Sequence, residues 1–238
     1  MIQTEKYYTY DELLEEMQKI ADRFDAFSIF RIVGKTHDER YIPMLRIGMG
    51  MDVMVCTAGI SGKEKANPAN LLSVMEEYCT AYKERKKLDG MDVYKLLNTC
   101  SICFLPIINP DGYEIVRAGF EIIKNPLLRR LCRLSRVPSD CWDYNARGVD
   151  LNMNFPCRSY IQKQLQSYPA SESETQTLIR VLGEYDSVGY IDFYSHTRAA
   201  AGGNTINFYT ETIGRPAFSL RLTDRTAPLK ILSASSGK

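Results

Sequence analysis

The sequence predicts an α/β fold: a three-layer α/β/α sandwich whose central sheet is mixed and mostly parallel. Three observations carry that prediction. Apolar runs of strand length alternate with amphipathic helical segments along the chain. The runs "DVMVCTAG" and "CSICFLPII" are apolar at nearly every position, the pattern of strands covered on both faces. The chain has 238 residues, 45% of them hydrophobic, enough to bury a substantial core within one domain over 1–238.

The elements follow in order. "TYDE", from Thr9 to Glu12, is a capping-box pattern, and Leu13, Leu14, Met17, Ile20, Ala21 and Phe24 then recur at helical spacing, giving a first helix over about 10–24. "FSIFRIVG" and "YIPMLRIG", joined by the polar "KTHDER", form an antiparallel pair. "DVMVCTAG" is a third strand, and a helix runs from Pro68 to about Lys87, its basic end favourable to the helix dipole. "CSICFLPII" is a buried parallel strand closed by the structural turn "NPDG" at 109–112. A basic helix occupies 121–136, and 138–157 is rich in turn residues. Ser171 caps a helix over "ESETQTLIRVLGEY", "VGYIDFYS" is another buried strand, and "TINFYT" and "AFSLRL" are the last two strands. "SASSGK" reads as a frayed tail.

Composition narrows the function classes. Charged residues make up 25% and the formal net charge is +1, which gives no electrostatic reason for a nucleic-acid or membrane partner. The opening "MIQTEKYYTYDELLEEM" has no apolar core behind a basic start, and no run approaches about 18 apolar residues, so a cytoplasmic location is expected. Seven cysteines, an odd count in a chain of this size, suit reduced thiols. Cys100 and Cys103 form a C-x-x-C, but in a strand they point to opposite faces, so they read as buried small hydrophobes rather than a redox or zinc pair. Nothing in the sequence sets an oligomeric state.

Several fragments, in order along nearly the whole chain, resemble the zinc carboxypeptidase superfamily, which includes carboxypeptidase A, murein peptide amidases and γ-D-glutamyl-diamino acid endopeptidases. They are "YDELLEEMQKIADRF", "IVGKTHDERYIPMLRIG", "TAGISGKEKANPANLL", "INPDGYE", "WDYNARGVDLNMNFP", "SYPASESETQTLIRVL" and "YIDFYSH". The resemblance implies a zinc held by His, Glu and His, with an open position for a water that the ion acidifies. It also implies a general-base Glu and an Arg that polarises the scissile carbonyl.

Carried over position by position, the resemblance puts Ser61 at the first His, Glu64 at the Glu and Tyr194 at the second His. Arg221 stands where the general base belongs, and a guanidinium that is always protonated cannot accept a proton. A hydroxyl and a neutral phenol are poor zinc donors. No catalytic residue and no metal are therefore expected, with 61, 64 and 194 as vestigial ligand positions. His196, two residues past Tyr194, is the one candidate rescue ligand, against the reading of a solvent-facing loop residue; His37 reads as a solvated turn residue. Arg147 is the candidate carbonyl-binding arginine or a structural loop residue, because in the animal enzymes the register places that arginine at Asp143. Asn152 and Met153 fall on the family's carboxylate clamp, whose arginine is missing here. Glu64 and Arg221 are expected to neutralise each other as an ion pair. The segment between Tyr194 and Arg221 is short, and nothing after "AFSLRL" resembles the family's closing helix, which implies a fold reduced at its C-terminal end.

Three functional readings follow. The first is an inactive homologue that binds a peptide, a murein fragment or a protein. The second is a working metallopeptidase or amidase with rearranged zinc ligands drawing on Glu64 and His196. The third is an interaction protein with a filled cleft.

Overall fold

The computed structural model describes residues 2–162, 168–194, 202–221 and 227–235. The chain opens with α1 (Tyr10–Arg23), whose N-terminus closes the expected capping box: Thr9 accepts from the Glu12 amide, and the Glu12 carboxylate accepts from the Thr9 amide. Strands β1 (Ser28–Lys35) and β2 (Tyr41–Ile47) form the antiparallel pair, and β3 (Asp52–Thr57) leads to α2 (Asn67–Lys83). A short ladder of β4 (Lys87–Leu88) and β5 (Met91–Asp92) precedes α3 (Val93–Thr99), and β6 (Cys100–Leu105) follows. Next come α4 (Pro110–Ala118), α5 (Pro126–Leu134), α6 (Ser173–Glu184) and β7 (Gly189–Tyr194), then α7 (Thr205–Phe208), β8 (Ala217–Arg221) and α8 (Ala227–Ser235).

The main sheet has the order β1-β2-β6-β3-β7-β8. The pairs β1/β2 and β2/β6 are antiparallel; β6, β3, β7 and β8 run parallel. Alternation along the strands divides the core in two. Met54, Cys56, Ile102, Phe104, Ile191 and Phe193 pack with α1, α2, α3 and α8. Val53, Val55, Cys103, Leu105 and Tyr190 pack on the other face with Leu178, Val181 and Leu182 of α6 and with Phe155 and Phe208. The result is the three-layer, mostly parallel α/β architecture expected. Cys100 and Cys103 divide between the two faces, both buried, and all seven cysteines are free.

Four expectations are corrected. "TINFYT" is helical: Asn204 caps α7 by accepting from the Asn207 amide, and the chain continues through a π-helical turn over Tyr209–Ile213. Burial of Phe208 and Tyr209 outweighs the strand propensity of the run. After β8 the chain forms α8, with Leu229 and Leu232 fully buried, so this end carries a packed helix where none was expected. The basic segment 121–136 divides at Asn125-Pro126 into a 3₁₀ turn, Phe120–Ile122, and α5. The helix after "PAS" starts one residue late, with Glu172 at the cap position, while Ser171 donates to the Glu172 carboxylate.

Candidate functional site

In an open parallel sheet, ligands bind beyond the carboxyl ends of strands where successive connections leave in opposite directions. From β3 the chain crosses to β6 on one side; from β6 the next strand of the sheet is β7, on the other side of β3. That rule points to the region beyond Thr57 and Tyr194 as the candidate crevice. The loop after β3 carries Ser61 and Glu64, and Tyr194 ends β7 with Arg221 of β8 as its register partner. Beneath them, Thr57 and Tyr190 share a hydroxyl–hydroxyl bond of 2.6 Å, and Thr57 also donates to Asp192 Oδ1 at 3.1 Å.

Backbone constraints hold the loop. Gly62 passes so close to other backbone that a Cβ would lie 2.6 Å from the carbonyl oxygens of Gly112 and Trp142. Asn109 is fully buried. Its Oδ1 caps α4 by accepting from the Gly112 amide, and its Nδ2 donates to the carbonyls of Ile60 and Tyr144. The "NPDG" turn thus begins a helix and also fastens the Ser61 loop to the Trp142 loop.

That juxtaposition brings Asp143 to Ser61. The Ser61 hydroxyl donates to Asp143 Oδ1 at 2.5 Å, and Lys63 Nζ donates to Oδ2 at 2.6 Å. The hydrogen bond to Asp143 is the main cause holding the Lys63 ammonium above its ordinary pKa, so Lys63 is a cation at neutral pH. Glu64 is 1% exposed and accepts from the Gly59 amide at 2.8 Å. The expected Glu64–Arg221 pair does not form. Arg221 is exposed at the end of the outermost strand, and among the described residues it makes no ion pair, whereas Glu64 turns inward to its own loop.

Arg147 reaches Glu172, Nη1 to Oε1 at 3.3 Å. Asn145 shapes the Arg147 loop, its Oδ1 accepting from the amides of Arg147 and Val149. Asn152 and Met153 sit on a 3₁₀ turn, Leu151–Met153, capped by Asp150. The Asn152 Oδ1 is buried with no hydrogen-bond partner. His196 lies outside the described residues.

A second polar group is built from the β1–β2 turn and the start of α6. Ligand atoms of His37, Glu172 and Glu174 all lie within 4.8 Å of one another, close enough to hold a metal ion. Both glutamates are fully buried. Glu172 accepts from Asn145 Nδ2 at 2.7 Å and from Ser171 at 2.7 Å. Burial, then the charge of Asp111, push the Glu174 carboxyl up to about 8. Burial lowers the His37 pKa, opposed by Glu172; His37 is an exposed turn residue, as expected, and also the neighbour of this acid pair.

Sequence reasoning missed the pairing of Ser61 and Lys63 with Asp143. The available signal was the placement of Asp143 where the resemblance puts an arginine, since a carboxylate there needs a local donor.

The chain belongs to the zinc carboxypeptidase family, whose sequence model matches residues 13–212. It is 29% identical over 198 residues to the uncharacterized protein YqgT of Bacillus subtilis, covering 77% of this chain and 52% of that protein. It is 23% identical over 161 residues to γ-D-glutamyl-L-diamino acid endopeptidase 1 of Lysinibacillus sphaericus, covering 66% and 40%. In structure it is similar to bovine thrombin-activatable fibrinolysis inhibitor, with a TM-score of 0.69, 16% identity, and 98% and 94% of the two chains covered. This chain spans about half the length of the curated relatives it matches. No helix among the described residues is long and apolar enough to cross a membrane.

Proposed function

We propose that this chain is a non-hydrolytic member of its family that binds a peptide or murein fragment in the crevice beyond β3 and β7. The observation that carries the reading is the state of Ser61: its hydroxyl proton is committed to Asp143, which also holds the Lys63 ammonium. The donors at 61, 64 and 194 are a hydroxyl, a carboxylate and a phenol, a set that does not fit zinc, for which imidazole and thiolate are the strong ligands. With Arg221 at the base position, no group there can take a proton from water. Binding is supported by Asn152, whose buried, unpartnered Oδ1 can accept a ligand N–H, and by Lys63, partly exposed and able to meet a ligand carboxylate. The likeness to a γ-D-glutamyl-diamino acid endopeptidase makes a murein peptide the first ligand to try. Seven free thiols fit a reducing, cytoplasmic compartment.

A second reading keeps metal chemistry through rearranged ligands, and the grouping of His37, Glu172 and Glu174 is the observation that favours it. One experiment separates the two. Metal content is measured by mass spectrometry on tag-free protein before and after dialysis against Zn²⁺, alongside hydrolysis of murein peptides with and without chelator. The non-hydrolytic reading expects far less than one zinc per chain and no chelator-sensitive turnover. It also expects murein peptides to change the emission of Trp142, the sole tryptophan and the neighbour of Asp143. Stoichiometric zinc with chelator-sensitive hydrolysis would overturn it.

A further inference from the structure

Helix α5 is seated shallowly. Within it only Cys132 is fully buried, packed with Ile115, Val116, Ile123 and Trp142 while its thiol donates to the Ala146 carbonyl. Leu127, Leu131 and Leu134 are 71%, 55% and 67% exposed. At the helical repeat these three side chains fall within about 60° of one another and form a single ridge, with Arg130 adjoining it. Leucines grouped into one exposed ridge mark an interaction site more often than apolar residues scattered singly.

The charges around the ridge are of one sign. Lys124, Arg129, Arg130, Arg133 and Arg136 lie within the same stretch, against Glu121 and Asp140 alone. Glu121 is taken up by Arg129 and Arg133. Lys124, Arg130 and Arg136 remain exposed. The chain-wide charge of +1 conceals this local excess, which is why composition gave no reason for a membrane partner.

We propose that α5 seats this protein on an anionic lipid bilayer, with Leu127, Leu131 and Leu134 entering the headgroup boundary and the flanking cations meeting lipid phosphates. The charge complementarity selects the occupant: leucines beside arginines on one short helix match an apolar layer edged with phosphate. A convex ridge can enter a bilayer without a preformed groove to receive it.

The test is co-sedimentation with vesicles of equimolar phosphatidylglycerol and phosphatidylcholine, compared with phosphatidylcholine alone, at low salt and at about 0.5 M salt. Binding is expected on the anionic vesicles only, weakened by salt. The triple variant Leu127→Ser, Leu131→Ser, Leu134→Ser, at exposed positions that leave the fold intact by circular dichroism, should lose about tenfold or more in partitioning. Arg130→Glu with Arg136→Glu should abolish the preference for anionic vesicles. The proposal is overturned by absence of vesicle binding, by equal binding to both compositions, or by binding that survives the leucine substitutions. Sedimentation velocity showing a dimer that the leucine variant dissolves would assign the ridge to a second copy and overturn it as well.

Discussion

Replacing Glu174 by Gln should remove a large pH dependence of stability. Glu174 is fully buried; Ser173 Oγ donates to it at 3.1 Å, and Asn145 Nδ2 lies 3.4 Å away. Burial raises its pKa from 4.5 to about 8 in the folded protein. Between those two values the folded chain keeps a proton that the unfolded chain has released, so unfolding becomes easier as pH rises. The slope approaches about 1.4 kcal/mol per pH unit, which accumulates to the order of 4 kcal/mol across the window. Stability from this group is greatest below the unfolded value and flattens above the folded one. His37 acts in the opposite direction, because its lowered pKa makes the folded state gain as pH rises toward 6.5, below the upper part of the window in which Glu174 titrates. The assay is urea unfolding followed by circular dichroism at pH 5, 6, 7 and 8. Wild type and Glu174→Gln should be close at pH 5, and the variant should pull ahead by several kcal/mol at pH 8. A constant difference across the series would mean that Glu174 is ionised in the folded state throughout, and the desolvation argument would fail.

Other substitutions test the scaffold and the Ser61 cluster. Gly62→Ala places a methyl 2.6 Å from two backbone oxygens and should cost about 1–3 kcal/mol, seen as a fall in melting temperature; an unchanged midpoint would show that the two loops are not held at that distance. Asn109→Ala strands the Gly112 amide and the Ile60 and Tyr144 carbonyls, at about 1–3 kcal/mol for each group left without a partner, measured by denaturant unfolding. Asp143→Ala should lower the Lys63 pKa toward its ordinary value, read by NMR titration of the lysine side chains; no change would place the Lys63–Asp143 pair outside the solution structure. Among the thiols, Cys141 is exposed and Cys157 half-buried, while burial pushes Cys79, Cys103 and Cys132 up to about 12. A thiol reagent should therefore modify one site quickly, a second slowly and five only after unfolding; more than two early sites would contradict the packing.

The sheet and its main helices were legible because their signals are local and periodic. The capping box at Thr9, the alternation in "YIPMLRIG" and the apolar run "CSICFLPII" each state an element within a few residues. "TINFYT" misled because its aromatic and β-branched residues carry strand propensity, whereas Asn204 and the burial of Tyr209 decide the outcome. Tyr209 donates to the Ser187 carbonyl, a contact visible only once the chain has folded. The site was legible residue by residue and not as a set. Ser61 and Asp143 are 82 positions apart, and no local pattern states that Asn109 draws their loops together. The Glu64–Arg221 expectation failed for a related reason: charge balance says that a buried carboxylate needs a partner, but it does not say which, and the Gly59 amide lies closer along the chain.

The polar scaffold also argues against a purely structural protein. Asn109, Asn145, Asp111, Arg40 and Glu172 are buried and hydrogen-bonded to groups from several loops, and such a network is favourable only when every member is satisfied. An interaction protein with no cleft could replace it with apolar packing at little cost. Among the described residues those five are satisfied, whereas Asn152 Oδ1, Thr175 Oγ1 and Thr205 Oγ1 are buried without a hydrogen-bond partner, a state that costs about 1–3 kcal/mol for each. On the Ser61 loop Lys63 and Asp143 neutralise each other while both remain more than a third exposed at the side chain. An exposed pair of that kind contributes about 0–1 kcal/mol, so a ligand carboxylate can take Lys63 at small expense. A cation that opens cheaply is what the binding reading expects of the Ser61 loop, and a scaffold without a ligand gives no reason for it.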